Sequence, residues 1–263
     1  MRVLFRRLQR RIAVFRAHRQ SRRLLRRITA PDALLRCVLA SNRHGLYCVP
    51  ITAMDRPAGR LVAAGDVYEP DTIDVITRHC GTGDVIHAGT YFGDLVPALS
   101  KGLATGATLW AFEPNRESFR CASITIALNG LTNVSLTHAG LGAICGMASI
   151  RMQDQTGRDL GGCSRIVPDD SQLPGCERVT VTTVDATVGA ERAVSVLQLD
   201  VEGHEREALE GALKTIARCR PLLILELQPG TRLLESTWFA DHILALGYHQ
   251  TRTVHGNVVL ECR

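Results

Sequence analysis

Along residues 84–246 apolar and polar positions follow a repeating order: a short apolar run, a turn, then a stretch with helical spacing. Val85 and Ile86 open the series as a strand. It runs through Gly89 and Gly93, which frame a tight turn, into a helix predicted to start near Asp94. Ala107 to Phe112 is a second buried strand, and Arg116 to Leu128 a helix closed by Asn129 and Gly130. Asn133 to His138 is a third strand and Ala143 to Arg151 a fourth, while residues 153–175, rich in Gly, Asp, Ser and Pro, read as a long loop. Arg178 to Val184 alternates as an exposed or edge strand, and Val194 to Leu199 is apolar throughout. VEGHEREALEGALKTI predicts one amphipathic helix with Leu209, Leu213 and Ile216 inward. Leu222 to Leu225 is another buried strand, Trp238 to Leu246 the last helix, and Tyr248 to Thr253 pairs with Val258 to Glu261 as a terminal hairpin. Strands this apolar are covered on both faces. The pattern therefore predicts an α/β domain with a mostly parallel sheet, helices on both sides and ligands at the C-terminal strand ends.

Upstream the pattern is less regular. Asp71 to His79 reads as a helix, with Ile73 and Ile76 on its apolar side. Before it come a short helical run around residues 33–40, a strand at Leu46 to Ile51 and a turn at Arg56, Pro57 and Gly59, together expected to form a cap. Residues 1–28 place Leu4, Leu8, Ile12 and Phe15 at helical spacing among arginines. The chain divides accordingly into a basic amphipathic arm (1–30), a helical cap and lead-in (31–80) and a main domain (81–263).

Charge sharpens that division. The net charge is +5, but residues 1–28 hold eleven arginines and no acid, leaving 5 − 11 = −6 for the rest. Three roles compete for the arm: contact with an anionic membrane surface, an organelle transit peptide, and an exposed tail without function. A nucleic-acid arm ranks below these, because no aromatic stacking platform accompanies the arginines. Nine cysteines without a Cys-x-x-Cys pair indicate reduced thiols and no zinc site. No run of 18 apolar residues suggests a membrane span, so the expected location is cytoplasmic, with peripheral contact at the inner face of the membrane through residues 1–28.

Three of the buried strands end in an acid: Glu113, Asp200 and Glu226. In a doubly wound sheet such tips converge near the glycine turn, where a carboxylate one strand over can accept bonds from both ribose hydroxyls of a nucleoside cofactor. An NAD-binding or non-catalytic protein shares this outline, but the turn lacks the full G-x-G-x-x-G pattern.

The order of the glycine turn, FEP, LNG..NV, TTVD, LDVEGHE and RPLLILEL resembles the FkbM-type S-adenosylmethionine-dependent methyltransferases over about residues 65–261. The resemblance implies a Rossmann-like class I methyltransferase fold, a mostly parallel seven-stranded sheet with a C-terminal antiparallel hairpin. It also implies S-adenosyl-L-methionine as cofactor and a hydroxyl acceptor on a sugar, glycolipid or related natural product. His87, Gly89, Thr90, Tyr91, Gly93 and Asp94 in the turn, with Glu113 and Asn115, would then hold the cofactor. Asp200, Glu202 and His204 would line the methyl-transfer site, and Glu226 would meet the substrate or serve as a structural acid.

Two positions depart from that pattern: His87 stands where an Asp is usual, and Tyr91 where an Asn is usual. Asp84 or Asp94 could supply the missing charge, and His87 reads equally as a core histidine. Asp200 is the first candidate base and His204 the second. Asp200 and Glu202 could instead hold a divalent cation, but no third ligand is identifiable and no metal is expected.

Overall fold

A computed structural model describes residues 35–153, 160, 164–167 and 175–263. It opens with a hairpin, β1 (Cys37–Asn42) and β2 (Gly45–Pro50), followed by α1 (Pro57–Ala64) and α2 (Pro70–His79). The helical run expected around residues 33–40 is thus a strand from Cys37 onward. Asn42 closes the hairpin by accepting the His44 N–H at 2.8 Å, and the backbone N–H of Cys48 donates to Thr125 Oγ1, so tertiary pairing overrides the local spacing. The turn expected at Arg56, Pro57 and Gly59 is the start of α1. Proline at the first helical position gives up an N–H that would have no intrahelical partner.

The main domain follows as β3 (Asp84–Ala88), α3 (Val96–Gly102), β4 (Leu109–Phe112), α4 (Arg116–Asn129) and β5 (Val134–Thr137). Next come β6 (Gly140–Leu141), β7 (Gly146–Arg151), β8 (Arg165–Val167), β9 (Cys176–Thr182), α5 (Val184–Thr187) and β10 (Val194–Leu199). The chain ends with α6 (Glu205–Glu210), α7 (Leu213–Cys219), β11 (Leu222–Glu226), α8 (Thr237–His242), β12 (Tyr248–Val254) and β13 (Asn257–Cys262).

Seven strands form the central sheet in the order β12-β13-β11-β10-β3-β4-β5. The five from β11 to β5 are parallel, and β13 runs antiparallel to both its neighbours. This is the expected mostly parallel seven-stranded sheet with a C-terminal hairpin. The chain winds outward from β3 through β4 to β5, then returns to β10 and winds the other way, so the crevice of a doubly wound sheet falls at the tips of β3 and β10. Alternate strand residues face opposite layers: Ile86 and Leu197 pack with Leu209, Ile216 and Phe239, while Val85 and Val196 pack with Ile73, Ile76 and Leu99. A third cluster, with Tyr47, Cys48, Val62, Phe92, Cys121 and Ile124, seats the hairpin against α4.

Further expectations change in the main domain. The strand expected from Ala143 starts at Gly146 and joins β6, β8 and β9 in a separate four-stranded sheet, where β9 lies inside rather than at an edge. The loop expected over 153–175 contains β8; residues 154–159, 161–163 and 168–174 lie outside the described residues. The single helix expected over 201–216 is two. A Cβ on Gly211 would sit 2.0 Å from the Gly142 carbonyl oxygen, and Asp185 accepts the N–H groups of Lys214 and Thr215, capping α7 as a new helix. Finally, α3 begins two residues after Asp94, at Val96.

Candidate active site

The tips of β3, β4, β10 and β11 wall a cavity of about 200 Å³. Its lining includes Gly89, Tyr91, Asp94, Glu113, Asp200, Glu202 and Glu226 from the main domain, and Arg56, Pro57, Tyr68 and Glu69 from the lead-in. Gly89 adopts φ 82°, and a Cβ there would lie 1.8 Å from the Asp200 backbone oxygen. Only glycine lets the turn after β3 close against the tip of β10. Five non-glycine residues have a left-handed backbone among those described, and Glu69, Tyr91 and Glu202 of these line the cavity. Conformational strain therefore concentrates there.

Six acids face this space: Glu69, Asp94, Glu113, Asp200, Glu202 and Glu226. Glu113 accepts the Tyr91 N–H at 2.7 Å on one oxygen and the Asn115 N–H at 2.8 Å on the other. Burial pushes its carboxyl up to about 8 although both N–H groups pull the other way. Burial, reinforced by Glu69, pushes Asp94 up to about 7. Burial, with the neighbouring Glu226 carboxylate second, raises the Asp200 carboxyl well above the ordinary carboxylate range. Glu202 accepts from Gln228 Nε2 at 2.7 Å.

The model of the methyltransferase FkbM domain matches residues 87–249, more than half of the chain. The chain belongs to the FkbM methyltransferase family. It is an S-adenosylmethionine-dependent methyltransferase, and the dinucleotide-binding and non-catalytic alternatives fall away. Among solved structures it is similar to the methyltransferase FkbM from Methylobacillus flagellatus KT, with 16% identity and a TM-score of 0.49 over 68% of this chain and 43% of that one. A SAM-dependent methyltransferase from Aquifex aeolicus gives 14% identity and a TM-score of 0.40 over 74% of this chain and 88% of that one. M. jannaschii TYW2 in complex with AdoMet gives 10% identity and a TM-score of 0.44 over 89% and 90%. No curated protein matches the sequence.

The cavity of this FkbM-family enzyme suits its cofactor. Each oxygen of Glu113 keeps a lone pair beyond the backbone N–H it accepts, the requirement for receiving two ribose hydroxyls. A wall of six acids with Arg56 as its cation among the described lining residues favours a ligand carrying sulfonium and ammonium charges.

Several candidates named from the sequence stand behind the lining rather than in it. His87 is fully buried, with its Nδ1 hydrogen-bonded to Gln198 Oε1 and Nε2 without a partner; burial lowers its pKa to about 4, so it is neutral. Of its two readings, the core histidine describes this placement, and Gln198, not His87, reaches the cavity. Thr90 Oγ1 donates to the His87 carbonyl, and Gly93 takes φ 83° to turn the chain against Thr125. The Asn115 side chain caps α4 by accepting the N–H groups of Glu117 and Ser118. His204 precedes α6, with Nδ1 3.6 Å from Glu207 and a pKa lowered by burial. Asp84 lies at the far end of β3, paired with Arg192. Among the described residues there is no group of three acids, histidines or cysteines placed to hold a metal ion. Sequence reading missed Arg56, Tyr68, Glu69 and Gln198. Of these Glu69 alone carries a sequence signal, an acid just before a Pro-led helix.

Proposed function

We propose that this enzyme methylates a hydroxyl oxygen of a sugar, glycolipid or related natural product, with the Asp200–Glu226 pair receiving the hydroxyl proton. The observation that carries this reading is the placement of two carboxyls, Asp200 and Glu226, at the tips of adjacent parallel strands and in the lining of the cavity. When bound, S-adenosylmethionine supplies an electrophilic methyl group on a sulfonium sulfur. Transfer forms a C–O bond as the C–S bond breaks, and the hydroxyl proton must go elsewhere. Burial and the neighbouring Glu226 charge make ionised Asp200 more basic than a lone surface carboxylate, which suits a base acting near neutral pH.

In this reading Glu113 accepts the ribose hydroxyls, Gly89 and Tyr91 bring the turn backbone against the cofactor, and Asp94 adds negative charge near its methionine end. Thr90, Gly93, Asn115 and His87 hold these groups in place from behind. Glu202, fixed by Gln228, orients the loop after β10, and His204 is the reserve base. Arg56, Pro57 and Ala58 from the lead-in and Ser164 and Ile166 from the loop around β8 shape the acceptor side. The main domain then spans 81–263, with 31–80 covering its site and 1–30 as an arm for an anionic membrane surface.

Incubating the protein with methyl-labelled S-adenosylmethionine and an extract of its source cell, then identifying the product, tests the reading. A label on a hydroxyl oxygen of a glycan-type acceptor supports it; a label on nitrogen or carbon overturns it. Asp200→Asn is expected to slow transfer about 10²- to 10⁴-fold. Because Asp200 is raised, the rate should climb with pH through a group titrating above the ordinary carboxylate range, and Glu226→Gln should move that limb to lower pH by removing the neighbouring charge.

A further inference from the structure

Five of the cavity acids have a place in the reading above; Glu69 does not. It lies between Tyr68, which lines the same wall, and Pro70, the first residue of α2. Its backbone is left-handed at φ 46°, and its Oε2 accepts from Asn257 Nδ2 at 3.2 Å. Asn257 is buried on β13 and is the register partner of Glu226 on β11. Glu69 is therefore held on the β11 side of the cavity, whereas Glu113 stands at the tip of β4, with β10 and β3 between them. Its charge acts on Asp94 and Asp200 alike.

The cavity lining runs from Glu113 past the tips of β3 and β10 to Glu226 and Glu69, so a cofactor whose ribose rests on Glu113 has room to extend its amino-acid end toward that side. There its ammonium needs an acid with an oxygen open to the cavity. Asp84 is bound to Arg192 at the opposite end of β3 and His87 is neutral and turned into the core, whereas Glu69 lines that side and is bonded to Asn257 through one oxygen.

We propose that Glu69 binds the α-ammonium of the cofactor's methionine moiety, positioned for this by Asn257 and assisted by Asp94. The proposal rests on the cofactor reading of Glu113. An ammonium in contact with a partly buried carboxylate makes a charge-assisted bond, stronger than one between neutral groups.

Calorimetric titration with S-adenosylhomocysteine and with 5′-methylthioadenosine, which lacks the whole amino-acid end, tests it without recourse to activity. Glu69→Gln preserves the size of the side chain and an acceptor for Asn257. It should weaken S-adenosylhomocysteine about tenfold or more while leaving 5′-methylthioadenosine within twofold. Equal effects on both ligands, or none on either, would overturn the proposal. A second measurement needs no variant: an S-adenosylhomocysteine analogue lacking only the amino group should bind the wild-type protein about tenfold more weakly than the parent, and equal affinity counts against Glu69. Wild-type protein that binds neither nucleoside defeats the cofactor reading itself, whereas wild-type binding with an unaffected Glu69→Gln defeats only the ammonium assignment.

Discussion

At Glu113 the two carboxylate oxygens take backbone N–H groups from Tyr91, on the glycine turn, and from Asn115, at the entry to α4. One side chain thus ties two walls of the cavity together, and each of its oxygens keeps a lone pair beyond the N–H it accepts. Glu113→Ala removes those acceptors. Glu113→Gln replaces one of them with an NH₂ that opposes a backbone N–H, so both variants should lower affinity for S-adenosylhomocysteine by at least about tenfold. The sign of the pH effect follows from the raised pKa. The ionised form accepts two hydroxyls and the protonated form cannot, so wild-type affinity should rise between about pH 6 and 9, through the value near 8, and Glu113→Gln should flatten the rise. Calorimetry across that range checks both, and a flat wild-type profile would count against the ribose role. Glu113 was legible in the sequence because an apolar strand ending in an acid announces a tip. Glu69 was not, because the groups that give it meaning come from elsewhere: Asn257 lies 188 residues away and reaches it only through the order of the sheet.

Strand β3 concentrates function at one end and stability at the other. Beyond its C-terminal end Gly89 admits the Asp200 backbone; at its N-terminal end Asp84, 2% exposed, accepts from Arg192 Nε at 2.7 Å, from Trp110 Nε1 and from the Thr108 N–H, joining β3 to β4 and to the lead-in of β10. Burial alone would raise the Asp84 carboxyl, but Arg192, Trp110 and Thr108 outweigh it and hold the pKa below the ordinary value. A carboxyl lower in the folded than in the unfolded state stabilises above its unfolded pKa, near 4, and that contribution is lost as pH falls through the folded value. Asp84→Asn should therefore cost about 3 kcal/mol in denaturant unfolding at pH 7, with the difference from wild type narrowing toward pH 3. An equal difference at both values would mean that ionisation at Asp84 is not what stabilises this end. Elements of this kind, buried and closed by Gly, Asn or Pro, could be read from periodicity alone. The break between α6 and α7 could not, since it depends on Asp185 and Gly142 arriving from other elements, and the β1–β2 hairpin was hidden because its residues also fit a helical spacing.

Across the whole molecule charge is divided as sharply as fold. The acids that line the cavity belong to a body whose sequence charge is −6, while residues 1–28 carry eleven arginines. No helix among the described residues is long and apolar enough to cross a membrane. In the proposed membrane role the arm makes the attachment, with Leu4, Leu8, Ile12 and Phe15 available for the interface and each arginine near an anionic surface contributing about 1 kcal/mol before screening. A body of like sign to such a surface would be repelled, so the arm alone should account for the binding. In co-sedimentation with vesicles containing anionic phospholipid, the full chain should bind at low salt and be released as ionic strength rises past about 0.15 M, where the Debye length is near 8 Å. A chain lacking residues 1–28 should remain in the supernatant yet still bind S-adenosylhomocysteine with unchanged affinity, because Glu69, Glu113 and the strand tips all lie outside the arm. Equal sedimentation of the two chains would remove the membrane role. Loss of cofactor binding on deletion would instead make the arm part of the site.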